Sequence, residues 1–234
     1  MMNPMFHEIA CEQTPIGELV LRRRRLHLEV DDIWEIKLNE GYLMSSQFID
    51  GDVALAEVEG NALDVVIGGL GLGYTAQAAL RDARVAKLTV IELIPQVIDW
   101  HRRHLLPLGK ELSADPRCSL RQGDFFQLAG DPDGFDLETP RALHDAILID
   151  VDHSTTHLID DASAGFYGPD AIAALAAKLK PEGVFALWST DAEDAAFVEA
   201  MQHSLRHVTV SRVEFATPYR DEPAFNLVYL GRKA

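Results

Sequence analysis

Only two cysteines, Cys11 and Cys118, occur in the 234 residues, far apart and in no Cys-x-x-Cys pairing. Neither a zinc knuckle nor a disulfide framework is signalled, and a reducing, cytoplasmic setting is the expectation. Positive charge is scarce as well: 21 lysines and arginines stand against 37 aspartates and glutamates, a formal net charge of −16. Such a surface repels nucleic-acid phosphates and anionic lipid, so neither is expected as a partner, whereas a small cationic substrate is. Long apolar runs are missing too. The longest weakly polar stretch, 65–80, holds four glycines and a glutamine and is too short to cross a bilayer as a helix. The first residues, Met1-Met2-Asn3-Pro4-Met5-Phe6-His7-Glu8, lack the basic start and apolar stretch of a secretory signal, which again gives the cytoplasm as the expected location.

What the chain does have is 47% hydrophobic and 25% charged residues, the balance of a globular protein with a sizeable core. Its texture changes near Gly60-Asn61, dividing a small β-rich N-terminal segment, 1–60, from a larger domain, 61–234. In the first, 17–21, 26–30 and 34–38 alternate apolar with polar residues as short antiparallel strands do. Arg22-Arg23-Arg24-Arg25, the one basic block, reads as the solvated end of a hairpin. From Leu63 onward strands at 63–67, 87–92, 118–122, 146–150 and 184–188 alternate with helices at 74–81, 95–105, 169–179 and 191–205. Strands at 207–215 and 225–230 close the chain. Near-continuous apolar strands separated by helices imply an α/β, Rossmann-like fold: a mostly parallel sheet covered on both faces, with an antiparallel finish. Ligands collect beyond the carboxyl ends of such strands.

Ile67-Gly68-Gly69-Leu70-Gly71-Leu72-Gly73 joins the first buried strand to its helix. Glycines 69, 71 and 73 remove side chains that would bar a ligand from the backbone, and the helix start offers unpaired N–H groups. Glu92 ends the next strand, where a carboxylate on this kind of fold accepts hydrogen bonds from ribose hydroxyls. The spelling departs from the dinucleotide G-x-G-x-x-G, which favours an adenosyl sulfonium, with ribose but no phosphate, over NAD. Asp124 follows the third strand in Gln122-Gly123-Asp124-Phe125-Phe126: a carboxylate for an adenine amino group beside rings to cover the base, and equally the N-cap of an apolar helix. The fourth strand ends in Ile149-Asp150-Val151-Asp152-His153. Alkyl transfer to an amine needs the neutral amine, so an anion that binds the ammonium, orients it and relays its proton is useful; Asp150 is the candidate. Asp152 and His153, on the same rim, are candidate substrate contacts. With His157 and Asp191 they also form a candidate divalent-metal set, although the reading without metal is preferred. Histidines 101, 104, 144, 203 and 207 fall on or beside expected helices and strands as surface or partly buried residues.

Taken together, Val65-Val66-Ile67-Gly68-Gly69, Val90-Ile91-Glu92, Asp115-Pro116-Arg117, Gly123-Asp124, Ile147-Leu148-Ile149-Asp150, Phe166-Tyr167 and Lys180-Pro181-Glu182-Gly183 resemble the spermidine synthases, the polyamine aminopropyltransferases, over about residues 60 to 230. The resemblance implies a class I S-adenosylmethionine-dependent methyltransferase fold of seven strands behind a small β-domain, and a homodimer. It places Glu92 on ribose, Asp124 on the adenine amino group, Asp150 as the catalytic aspartate, and Tyr219 of Pro218-Tyr219 near the amine. The donor implied is decarboxylated S-adenosylmethionine or S-adenosylmethionine, the acceptor a small amine. Three departures bear on the substrate. Gly71 stands where the family's GGGDGG turn carries an aspartate that holds the donor's amino group and disfavours an intact carboxylate. Ordinary S-adenosylmethionine thereby becomes admissible, its carboxylate meeting the start of the next helix. Leu55-Ala56-Glu57 replaces the family's Tyr-His-Glu, and Asp150-Val151-Asp152-His153-Ser154 replaces aspartate, two small residues, aspartate and proline. The segment Ile149-Asp150-Val151-Asp152-His153, with Asp191, also resembles the metal-dependent O-methyltransferases. The expected function is a spermidine synthase-like transfer of an aminopropyl or related alkyl group to an amine. The alternatives are methyl transfer to a small molecule, with or without metal, and nucleoside binding without turnover.

Overall fold

Period-two alternation near the start of the chain builds an antiparallel sheet from β1 (Phe6–Thr14), β2 (Gly17–Arg24), β3 (Ile33–Leu38) and β4 (Gly41–Ser45), in that spatial order. The computed structural model describes residues 6–25, 32–56, 63–136, 138–159, 161–217 and 222–234. The expected strand at 26–30, the boundary at Gly60-Asn61 and the residue Tyr219 lie outside them. Strand β1 and the short β4 have no clean apolar face to announce them and are defined by pairing with β2 and β3. The arginine block departs from its solvated reading. Arg22 and Arg24 lie on one face of β2 and each brings Nε to 2.7 Å from an opposite oxygen of the buried Glu35 carboxylate on β3. Alternation puts positions 22 and 24 on the same side, so a single carboxylate satisfies both.

A short helix, α1 (Asp50–Leu55), leads to the main sheet, whose order is β10-β11-β9-β8-β5-β6-β7. Its strands are β5 (Leu63–Gly68), β6 (Val85–Glu92), β7 (Cys118–Gln122), β8 (His144–Ile149), β9 (Leu179–Ser189), β10 (Arg206–Phe215) and β11 (Ala224–Arg232). Strands β5 to β9 run parallel, while β11 is antiparallel to both β9 and β10. Each central strand is apolar on both sides. On β5, Val65 and Ile67 enter one buried cluster and Val66 the other; on β8, Ala146 and Leu148 oppose Ile147 and Ile149. The first cluster takes in α2 (Tyr74–Arg81), α3 (Pro95–Arg102) and α4 (Gly109–Ala114). It also takes in Leu19, Leu21 and Ile36 of the small sheet, so the two sheets share one core. The second holds α5 (Phe125–Gly130), α6 (Pro169–Ala176) and α7 (Ala195–Gln202).

Three expected helices are shorter than their apolar patterns, for local reasons. The helix from Pro95 ends at Arg102, with His104 at φ 57°, outside helical geometry. The helix expected from 191 starts at Ala195 because the Asp194 carboxylate accepts from the amides of Ala196 and Phe197 and caps it. The one expected over 169–179 stops at Ala176, and Leu179 already pairs with His144 in the sheet. Because β5 to β9 are parallel, Gly68, Glu92, Gln122, Ile149 and Ser189 all end at one edge. Among the described residues no helix is long and apolar enough to cross a membrane.

Replacing Glu35 by Gln removes the charge between Arg22 and Arg24. Because those side chains keep 15% and 21% exposure, solvent softens the loss. Urea denaturation is expected to show a decrease of about 1–3 kcal/mol, below the cost of a fully buried broken pair; an unchanged midpoint would show that the cluster contributes nothing to stability.

Candidate active site

The glycine turn is the floor of the site, and close packing dictates its composition. Gly69 has φ 92°, and a Cβ there would stand 2.0 Å from the Asp150 carbonyl oxygen, so the chains leaving β5 and β8 meet where only glycine fits. Backbone bonds lock this crossing: the Gly69 amide donates to Ile91 and the Asp150 amide to Gly68. Gly71 and Gly73 also have positive φ, and Gly73 precedes α2.

Glu92, buried at the end of β6, grips the turn. Its Oε2 accepts from the amides of Leu70 (3.0 Å) and Gly71 (3.4 Å), while Oε1 accepts from Ile94 (2.8 Å). Burial pushes its carboxyl upward and these amides pull it back. From α3, His101 Nε2 lies 2.9 Å from the Gly71 carbonyl, which can only accept, so Nε2 carries the hydrogen. Nδ1 is buried without a partner, and burial pulls the ring down to about 4, so it is neutral. His101 and His144 are thus fully buried, in contrast to the surface or partly buried placing expected for them. From β4, Met44 Sδ accepts the Leu72 amide at 3.1 Å and occupies the space that a side chain at position 71 would need. This bond lies ahead of α2, whose N-cap is Gly73.

Asp150 follows β8 and its Oδ2 accepts from Thr75 Oγ1 of α2 at 2.5 Å. Asp52, buried on α1, is hydrogen-bonded to the same carboxyl. Burial and the nearby Asp150 charge push Asp52 up to about 9, and two carboxyls in hydrogen-bond contact share a proton. The two side chains titrate as one unit, with the Asp150 carboxyl itself raised by burial. Sequence reading did not single out Asp52, since Asp50-Gly51-Asp52 carries no motif and its meeting with Asp150 depends on how α1 packs against α2, β9 and β11.

The other candidates divide. Asp124 caps α5, its Oδ1 accepting from Phe126 and Gln127, as the N-cap expectation had it, and it also lines the cavity beside Phe126. Asp152 is buried and engaged by its own loop: it accepts from the Ile159 amide, Ser163 Oγ and Tyr167 Oη. It lines a neighbouring cavity with Phe126 and Phe166, not the main one. His153 lines the main cavity and donates to the Tyr42 carbonyl of the small sheet; burial and His157 lower its ring. Asp191 accepts from Ser154 Oγ. Among the described residues no three histidine, cysteine, aspartate or glutamate side chains gather as a metal ion requires. The main cavity, about 340 Å³, is walled by Ile94, Met44, Phe48, Trp188 and Phe215 among others. Asp52, Glu92, Asp124 and Asp150 all reach it, and no lysine or arginine does among the described residues. Negative charge that the sequence gives only as a whole-molecule sum is here concentrated on an apolar pocket, the arrangement that attracts a cation with a hydrophobic body.

Over 125 residues, 53% of this chain, the sequence is 30% identical to polyamine aminopropyltransferase 2 of Pseudomonas aeruginosa. The match spans 32% of that longer protein. A spermidine synthase crystallised with the transition-state analogue AdoDATO superposes on 97% of this chain and 74% of its own, with a TM-score of 0.73 at 18% identity. The spermidine synthase of Thermotoga maritima gives 0.69 over 97% and 73%, at 17% identity, and a probable spermidine synthase of Corynebacterium glutamicum 0.66 over 95% and 79%, also at 17%. These superpositions show that the chain shares the fold of the solved spermidine synthases. No protein-family model matches it. The seven-stranded sheet with its antiparallel end and the small antiparallel sheet before it are as the sequence led one to expect.

Neutral His101 contributes stability that is fully present above the ring's ordinary value of roughly 6.5 and is lost as pH falls toward about 4, because the unfolded ring binds a proton that the folded one refuses. His101→Gln, which keeps an N–H donor, removes this dependence. The denaturation free energy of the native chain relative to this variant is expected to fall by up to ~1.4 kcal/mol per pH unit across that window; a constant difference would mean that the ring is not held neutral.

Proposed function

We propose that this chain transfers an aminopropyl or related alkyl group from an adenosyl sulfonium, either decarboxylated S-adenosylmethionine or S-adenosylmethionine, to a small amine. The observation that carries the reading is the Asp150–Asp52 carboxyl pair on the wall of an acidic, apolar cavity floored by the glycine turn. In this reading Glu92, which already holds the turn amides, also meets the ribose hydroxyls. Both capping bonds of Asp124 fall on Oδ1, which leaves Oδ2 for an adenine amino group, with Phe126 against the base. Asp152 acts indirectly, fixing the loop that carries His153 toward the substrate. Tyr219, outside the described residues, closes on the amine by family resemblance alone.

Asp150 in this reading binds the acceptor ammonium and receives its proton, and the freed lone pair attacks the carbon beside sulfur. The sulfonium is already an activated leaving group, so the protein contributes mainly position. Holding two reactants in line and out of water removes about 7–11 kcal/mol of barrier in favourable cases. A second reading, methyl transfer from intact S-adenosylmethionine, is favoured by one feature: the Met44 thioether, with no carboxylate, stands where the family's ammonium-binding aspartate would be.

Incubating the purified protein with each donor and a diamine separates these readings. Methylthioadenosine as product reports aminopropyl-type transfer and S-adenosylhomocysteine reports methylation; neither product from any amine contradicts both. Asp150→Asn is expected to lower kcat by about 10²–10⁴-fold while nucleoside affinity stays within about twofold, and full turnover by this variant would remove Asp150 from the mechanism.

A further inference from the structure

Asp52 lies outside every motif of the spermidine synthase resemblance, yet it faces the cavity and bonds to the carboxyl on which the transfer turns. Its position is tightly constrained. A Cβ on the adjacent Gly51 would stand 2.3 Å from Trp188 Nε1 of β9 and 2.8 Å from Asn226 Oδ1 of β11, so α1 is pressed against the sheet and Asp52 cannot withdraw from Asp150. Thr75 holds Asp150 from α2. The Asp150 carboxyl is thus fixed by a hydroxyl and by a second carboxyl.

We propose that Asp52 is a positioning residue for the transfer, the protonated partner that orients Asp150 and limits the pair to one negative charge, so that a single acceptor ammonium neutralises it. This rests on the reading of Asp150 as the amine-binding group. In the cycle that follows, the acceptor R–NH₃⁺ gives one proton to Asp150 and Asp52 keeps its own. The amine lone pair forms the new N–C bond, the C–S pair returns to sulfur as a neutral thioether, and the product leaves as a secondary ammonium. Asp150 then releases its proton to solvent and the singly charged pair is restored. The ionisable groups around Asp52 fit this role: Asp50 on its own helix and Asp150 both favour its acid form, and Tyr74 of α2 stays neutral, itself raised by burial. From β9 and β11 the neighbours are Trp188 and Asn226, which do not ionise, and β10 contributes Phe215 to the same wall.

Two measurements on the intact chain test this. In ¹³C NMR of carboxyl-labelled aspartate, the signal missing from Asp52→Asn is expected to titrate several units above the ordinary aspartate value of about 3.9; titration near that value overturns the proposal. In steady-state assays with a diamine, Asp52→Ala is expected to lose about 10–100-fold in kcat/KM for the amine, and Asp52→Asn, which still donates a hydrogen bond, to recover at least about tenfold of it. Equal activity in the two variants also overturns it, since a purely structural role predicts no rescue. If the wild type turns over no amine, the transferase reading fails and the NMR titration still decides whether Asp52 carries the shared proton.

Discussion

The amides of Leu70 and Gly71 converge on one buried carboxylate, Glu92, and the rest of the site depends on that convergence. A glycine turn is entropically free by itself, and its openness to a ligand is useful only if something fixes its shape. Glu92 does so from the end of β6, and neutral His101 does so from α3 by holding the Gly71 carbonyl. A buried carboxylate is costly unless it is surrounded by donors, and the turn supplies those donors. Floor and anchor therefore stabilise each other, and the cavity above them is preformed.

The small N-terminal sheet and α1 complete that cavity and also shape its chemistry. Met44 reaches from β4 onto the turn, the Tyr42 carbonyl receives His153, and α1 delivers Asp52 to Asp150. Each contact brings an N-terminal residue to the carboxyl edge of the parallel strands. The cavity is therefore shaped where the two sheets meet. There the Met44 thioether lies against Gly71, and Asp52 meets Asp150 on the cavity wall.

The succession of strands and helices that builds the main sheet was legible because its signals are local. Apolar runs such as Ala146-Ile147-Leu148-Ile149, the Pro95 and Pro169 helix starts, and glycines at every second position after β5 each announce one element. That Glu92, Asp124 and Asp150 reach that edge was legible for the same reason: each ends or follows an apolar strand. What could not be read depends on contacts between distant segments. Asp52 stands in a helix too short to show a period, His101 looks like any helical histidine until α3 is packed under the turn, and Asp152 looks like a rim carboxylate until Ser163 and Tyr167 fold back onto it. The arginine block misled by composition, because one buried glutamate on the next strand turns two of its four charges inward.

Crystals of the protein with 5′-methylthioadenosine test the central claim most directly, the claim that the glycine turn and Glu92 form a berth for a nucleoside whose sulfur faces the carboxyl pair. The account predicts density with the ribose hydroxyls on Glu92, the base against Phe126 and Asp124, and the sulfur on the side of Asp150. A nucleoside bound elsewhere, or a cavity in which Met44 and Leu70 stay in place and no ligand enters at saturating concentration, would contradict it.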